Sequence, residues 1–276
     1  MTSSSQTATT RTWTGRDMLN KVPEVTLFFW IIKILCTTVG ETAADYLNDN
    51  LGFGLTNTTY FTGALLAVIL LVQFRLRRYV PAVYWAAVVV ISVFGTLITD
   101  NLSDNYNVPL TTTTPICAAI LAIVFAVWYW FERTLSIHTI ITTRREAFYW
   151  LAILFTFALG TAAGDLVAEK ADLGYAVSIA IFGGAIAVVT FAHYVLKMDA
   201  ILSFWLAYIL TRPLGASIGD EMSQNSHKYG GLGLGTTGTS YIFLGCILLL
   251  VTYLSITKRD QTDPRRLRAE LDEAPA

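Results

Sequence analysis

Four aspartates in this chain stand in one context. Asp45, Asp100, Asp165 and Asp220 each follow a glycine by five residues and a tryptophan by fifteen. The glycines are Gly40, Gly95, Gly160 and Gly215, and the tryptophans are Trp30, Trp85, Trp150 and Trp205. Spacing that never drifts over four copies marks internal duplication. On a helix, which turns by roughly 100° per residue, positions four apart share a face. Four residues before the aspartates come Glu41, Thr96, Thr161 and Ala216, and four further back come Thr37, Ser92, Phe157 and Arg212. Four residues after them come Asp49, Asp104, Glu169 and Gln224. Each aspartate thus belongs to a stripe, polar throughout in the first two copies, interrupted by Phe157 in the third and carrying a cation in the fourth.

Carboxylates near a bilayer face an interior or a wet cavity, because lipid does not solvate them. If the repeats surround one axis, the four aspartates converge as a ring of hard oxygen ligands with Glu41, Asp49, Asp104 and Glu169 nearby. Such a set suits Mg²⁺, Ca²⁺ or Mn²⁺ better than soft metals. His227 is a further candidate ligand, against the alternative of a solvated histidine. The competing reading of the aspartates is architectural: they cap helix ends or bind loop amides. Arg212, beside Pro213 and close to the stripe, reads as an internal counter-charge to Glu41 or a neighbouring aspartate. Pro213 should kink its helix.

The elements that must carry these residues follow from composition. The chain is 54% hydrophobic and 14% charged over 276 residues, which excludes an ordinary soluble domain. Eight apolar stretches approach the length that spans a bilayer as helix. They run over 24–47, 57–75, 81–101, 113–132, 147–167, 174–195, 200–220 and 239–257. The expected fold is all-α, a polytopic membrane protein of four tandem two-helix repeats with parallel pseudo-symmetry. The repeats cover about 22–78, 79–140, 141–197 and 198–257, and the spacing of successive tryptophans pairs them as two doublets. Each first helix carries the Trp–Gly–Asp phrase, and each second helix returns. Gly40, Gly95, Gly160 and Gly215 pair with Ala44, Thr99, Gly164 and Gly219 as small residues four apart, a pattern that admits close helix packing. Threonines at the starts of the second helices read as partners for unpaired backbone groups.

Fifteen of the 19 basic residues lie before a first helix or after a second one. The positive-inside rule places those loops and both termini in the cytoplasm, and the aspartate turns outside. The four tryptophans then fall near the cytoplasmic interface as anchors, and Lys33 snorkels to it. Residues 1–20 read as a disordered cytoplasmic tail and 258–276 as a charged, solvated one. Cys36, Cys117 and Cys246 lie in apolar runs and read as buried small hydrophobes. The glycine-rich stretch 230–238 lacks the Lys-Ser/Thr of a phosphate loop and reads as a flexible turn.

In this organisation the chain is similar to a family of bacterial membrane proteins built from four tandem repeats of a domain of unknown function. Each repeat of that family has two spans and a characteristic tryptophan, matched by Trp30, Trp85, Trp150 and Trp205. The resemblance implies a bacterial inner-membrane protein and supplies no activity. From the residues themselves the expectation is a small-ion transporter or channel for a divalent cation. The alternative is a structural or sensory module that moves nothing. No HExxH, Ser–His–Asp set or deep Cys–His pair is present, so an enzyme is not expected. The expected partners are the bilayer and a small cation, with no nucleic acid, and no cofactor beyond that cation. The orientation is tested by cysteine labelling: position 228 should react from outside and position 265 should not, and the reverse pattern would invert the topology.

Overall fold

The computed structural model describes residues 20–170, 173–224 and 231–261. Residues 1–19, 171–172 with Asp172, 225–230 with His227, and 262–276 lie outside the described residues, as do the side chains of Asp49, Glu169 and Lys170. Eight helices follow: α1 (Leu27–Asp45), α2 (Gly54–Arg75), α3 (Pro81–Asp100), α4 (Leu110–Glu132), α5 (Thr143–Asp165), α6 (Tyr175–Tyr194), α7 (Ala200–Ser223) and α8 (Gly235–Thr257). All eight are long and apolar enough to cross a membrane. They divide sharply by burial. The apolar windows of the odd-numbered helices are 56–61% buried, those of the even-numbered helices 17–28%. The odd helices therefore form an inner ring and the even helices an outer layer, with Val68, Leu71, Ile123, Val188 and Leu249 exposed on its surface.

The inner ring is cyclic: α1 packs on α3, α3 on α5, α5 on α7, and α7 closes on α1. Each even helix leans on the first helix of the next repeat, α2 on α3, α4 on α5, α6 on α7 and α8 on α1. Each repeat is thereby completed by its neighbour. The doublet spacing of the sequence arises outside the ring. A short 3₁₀ turn, Ile137–Thr139, lengthens the connection between α4 and α5, and Ile137 and Ile140 are buried in the core.

The four glycines sit at the four ring contacts. A Cβ on Gly40 would overlap Ser92, one on Gly95 would meet Phe157, one on Gly160 Arg212, and one on Gly215 Thr37. In each pair the partner lies eight residues before the aspartate of the next repeat. Around the ring, the glycine of one helix accepts the side chain of its successor. Pro213 follows the same logic, with its ring against Gly160 and its backbone near Gly164. Helix α7 runs on through it to Ser223.

The tryptophans form a second cyclic set at the end of the bundle where the basic residues collect. Trp85 packs on Phe29 at 5.7 Å between ring centroids, Trp150 on Tyr84 at 5.5 Å, Trp205 on Tyr149 at 6.3 Å, and Trp30 on Phe204 at 5.7 Å. Trp85, Trp150 and Trp205 are buried and Trp30 half-buried. This corrects the anchor reading, because the rings face one another across helix contacts instead of the lipid headgroups. Trp205 also donates from Nε1 to the Leu135 carbonyl at 3.0 Å.

Other expectations change with the tertiary contacts. Lys33 does not snorkel; it is fully buried on the inward face of α1. Cys246 is exposed on α8, while Cys36 and Cys117 are buried. Three of the second helices, α2, α4 and α8, begin earlier than their apolar runs, so their threonines fall inside the opening turns and do not cap them. Thr59 and Thr239 instead donate to carbonyls four residues back, at 2.7 and 2.9 Å. Three of the helix starts use glycines of positive φ, Gly54 (71°), Gly174 (77°) and Gly235 (76°), and the glycine-rich stretch becomes helical from Gly235. The fold also reaches past both expected tail boundaries: Asn20 and Asp260 are buried. Asp260 accepts from the Tyr79 hydroxyl at 2.5 Å, and next to Asn20 the buried Lys21 pairs with Glu146 at 2.6 Å. Burial pushes the Asp260 carboxyl above its ordinary range, opposed by the Tyr79 hydrogen bond.

Substitution at a ring glycine tests this packing. Gly215→Leu should lower stability by about 1–3 kcal/mol, the usual cost of overpacking. Gly245→Ala, where an added Cβ meets open space, should melt like the parent. Equal melting temperatures for Gly215→Leu and the parent would remove the glycine from the helix contact.

Candidate functional site

The inner ring stacks the four repeats in layers along one axis. The aspartate layer lies at the acidic end. Next come Glu41, Thr96, Thr161 and Ala216, then Thr37, Ser92, Phe157 and Arg212, then Lys33, Val88, Ile153 and Tyr208. Apart from Val88 and Ile153, every large side chain in the lower two layers that is not aromatic is polar or charged. Thr37, Ser92, Thr96, Thr161 and Arg212 are wholly buried.

Arg212 is the centre of the second layer, although its Cα belongs to the third. Its NH2 nitrogen donates to Glu41 Oε2 at 2.8 Å and to Thr161 Oγ1 at 2.7 Å, and also to Thr96 Oγ1. Its NH1 nitrogen donates to the Thr37 carbonyl at 3.2 Å. One side chain from the fourth repeat thus contacts the residue four before the aspartate in each of the other three. Its own helix has Ala216 at that level, and the missing side chain leaves the guanidinium room. Of the two counter-charge partners open from the sequence, the ion pair falls on Glu41. Thr37 adds a closure bond between first and last repeats, from Oγ1 to the Thr211 carbonyl at 3.3 Å.

Above this layer, carboxylate oxygens of Glu41, Asp165 and Asp220 lie within 4.8 Å of one another. Glu41 and Asp220 are buried and Asp165 is half-buried. Asp45 and Asp100 stand outside that triad. Asp45 accepts from Gln224 Nε2 at 3.3 Å, and Asp100 lies within electrostatic range of Glu41, Asp165 and Asp45. Asp104 is exposed on the surface and accepts from the Ser103 hydroxyl at 2.9 Å, so it does not extend the ring inward. The reason is local geometry that the spacing does not reveal. After Asp45, Asp100 and Asp165 the chain forms single π-helical turns, Tyr46–Asn50, Asn101–Asn105 and Leu166–Lys170. A π turn carries hydrogen bonds five residues back and shifts the angular register, so a residue four after the aspartate leaves its stripe. In the fourth repeat the α-helix simply continues, and Gln224 caps it through a backbone bond to Asp220 at 2.8 Å.

The donor set, three carboxylates within 4.8 Å of one another, is of the kind that hard divalent cations such as Mg²⁺ and Mn²⁺ take. Nothing in the set is a soft ligand. Close carboxylates repel, and Arg212 neutralises one of them through Glu41. A bound cation would offset the rest. The sequence singled out Glu41 as an accessory, yet the geometry makes it a full member that joins Arg212 to the acid triad. Its glutamate length is the signal, since it alone carries a carboxylate in the second layer.

The chain matches the family described as Repeat of Unknown Function (DUF347) four times in tandem, over residues 28–79, 83–134, 148–199 and 203–260. It belongs to that family. No curated protein and no solved structure matches the chain. The four matched segments begin close to the first residues of α1, α3, α5 and α7, so the repeat unit is an inner helix with the outer helix that follows it.

The ion pair is open to a double-mutant test. Removing one partner of a buried pair costs about 3–5 kcal/mol, because the remaining charge is stranded. Arg212→Met should destabilise the protein by that amount, Glu41→Gln by less, because Gln still accepts a hydrogen bond. Arg212→Met combined with Glu41→Gln should cost clearly less than the sum of the two single losses. Simple additivity of the two single losses in thermal melts would show that the pair is not coupled.

Proposed function

We propose that this member of the repeat family binds a divalent cation of the Mn²⁺ or Mg²⁺ type at Glu41, Asp165 and Asp220, and carries it across the bacterial inner membrane. The observation that supports this reading is the convergence of three carboxylates from three different repeats in a largely buried setting. Carboxylates held together in a membrane protein are costly unless something positive visits them. By the charge bias of the loops, the site lies in the outer half of the membrane. The parallel repeats differ from the inverted repeats of many secondary carriers. Movement of the cation would therefore involve the ring itself, with Arg212 releasing Glu41 as the cation arrives and taking it back as the cation leaves. The proposed role is that of a carrier.

A second reading, a cation sensor that transports nothing, is favoured by one observation. Beneath the acids the axis is filled by Arg212, Phe157 and Tyr208, with Lys33 over the last two rings. Two experiments separate the readings. At a hundredfold excess over its Kd, Mn²⁺ should stabilise the purified parent by about 2.7 kcal/mol, and Asp165→Asn/Asp220→Asn should lose most of that. Uptake of Mn²⁺ by reconstituted liposomes should then follow for a carrier. Stabilisation without uptake would leave the sensor, and no stabilisation by Mn²⁺ or Mg²⁺ would remove the cation site.

A further inference from the structure

The axis holds a second cation, which the acid triad does not explain. Lys33 is fully buried on α1, one layer below Arg212, and its Nζ has no hydrogen-bond partner. Only ring faces receive it, Phe157 at 4.5 Å and Tyr208 at 4.2 Å to the centroids. Among the described residues no carboxylate pairs with it. Aromatic faces attract an ammonium but do not replace its water. A lysine differs from an arginine here, because the amine can shed its proton and become neutral while the guanidinium cannot.

Below Lys33 the axis continues as a line of hydroxyls toward the basic end. The Tyr208 hydroxyl is buried and, like Lys33, has no partner. The Tyr84 and Tyr149 hydroxyls share a hydrogen bond of 2.5 Å. The Tyr79 ring packs on the Tyr84 ring at 5.6 Å, and its hydroxyl reaches Asp260 at 2.5 Å. Two neighbouring buried polar groups without partners mark a place for water. The sequence makes this line in one register: Tyr84 and Tyr149 lie sixteen residues before their aspartates, and Lys33 and Tyr208 lie twelve before theirs.

We propose that Lys33 is a proton-binding site coupled to the acid triad, so that a divalent cation arriving at Glu41, Asp165 and Asp220 drives one proton off Lys33 toward the basic, cytoplasmic end. The inference rests on the cation-binding reading above. In the step, the N–H bond of the Lys33 ammonium breaks, the electron pair stays on Nζ, and the proton leaves by way of Tyr208 and the Tyr84–Tyr149 pair to water near Asp260. Two positive charges enter the buried axis and one departs. Arg212 transmits the effect: it loses its carboxylate partner to the incoming cation, and its unneutralised charge then acts on Lys33. The titratable and charged groups that face Lys33 are Cys36 on its own helix and Arg212 and Tyr208 on α7. On the layer beneath, α3 contributes Tyr84 and α5 contributes Tyr149, and no titratable side chain of α8 is buried. None of these is an acid that would hold the proton on Lys33. Because the cation displaces a proton, its apparent affinity rises with pH where Lys33 titrates.

The test counts protons. Mn²⁺ is added to the full chain in weakly buffered detergent with a pH-indicating dye, and thermal stabilisation is measured on the same samples. Lys33→Met should keep a Mn²⁺ stabilisation at least as large as the parent's, yet release about one proton fewer per bound cation, the difference that proton linkage requires. Lys33→Arg, which holds a permanent charge, should lose the same proton and bind Mn²⁺ more weakly. Equal proton release by parent and either variant would overturn the inference while leaving the cation site intact. Absence of Mn²⁺ stabilisation in the parent would instead remove the cation reading, and the coupling with it. Tyr149→Phe keeps Lys33 and covers the case in which neither lysine variant folds. It should slow proton release at unchanged stoichiometry, and an unchanged rate would overturn the proposed coupling route.

Discussion

The fold depends on a close approach repeated four times. At each contact of the inner ring a glycine gives up its side chain so that the next helix can insert one. Ser92, Phe157, Arg212 and Thr37 fill the places opened by Gly40, Gly95, Gly160 and Gly215. In lipid there is little hydrophobic force to bring helices together, so association rests on close packing and on hydrogen bonds between helices. Among the inserted residues Thr37 and Arg212 supply both: Thr37 bonds the backbone of α7 and Arg212 that of α1. Beside them, Thr99 bonds the Ala158 carbonyl on α5 at 3.0 Å. Because the fourth contact closes on the first helix, no repeat is terminal and each loses a neighbour if one is removed.

Fourfold repetition alone would place four equal layers on the axis. Function enters where the repeats depart from equality. Repeat one has Glu41 and Lys33 where repeats two and three have threonine and an aliphatic side chain. Repeat four has Arg212 where repeat one has threonine, and Ala216 where the others are polar. These substitutions meet at one place: Arg212 fills the room above Ala216 and binds Glu41, Thr96 and Thr161 together. The cost of burying a guanidinium is offset by an ion pair and three further hydrogen bonds. Lys33 has no such compensation, which is why the two cations of the axis differ in kind.

The two ends of the bundle are built for different work. The basic end is closed by the paired belts of aromatic rings and by buried polar ties, Lys21 to Glu146 and Tyr79 to Asp260. The acidic end is less regular: π-helical turns follow three of the four aspartates, and glycines of positive φ start three of the outer helices. A π turn sets an intrahelical bond one residue wider and leaves the backbone less regular, and such turns recur at functional sites.

Much of this protein was determined by its residues in order. Invariant Trp–Gly–Asp spacing specified four repeats, hydropathy specified eight helices, and the glycine register placed small residues where helices meet. These features are local or periodic, so they survive in one dimension. The partners of each residue were decided only by the ring. Nothing in the order of residues says that α7 closes on α1, and without that contact Arg212 and Glu41 are merely 171 positions apart. The tryptophans illustrate the same limit: position near a helix end suggests the lipid interface, whereas the neighbouring repeat offers Phe29, Tyr84, Tyr149 and Phe204 as a better-packed surface. The π turns after the aspartates likewise escaped the spacing, because an α-helical count carries Asp104 inward and a five-residue turn carries it out to solvent. Chemistry at the axis is a property of four helices at once, and only their packing brings a glutamate, two aspartates, an arginine and a lysine onto one line.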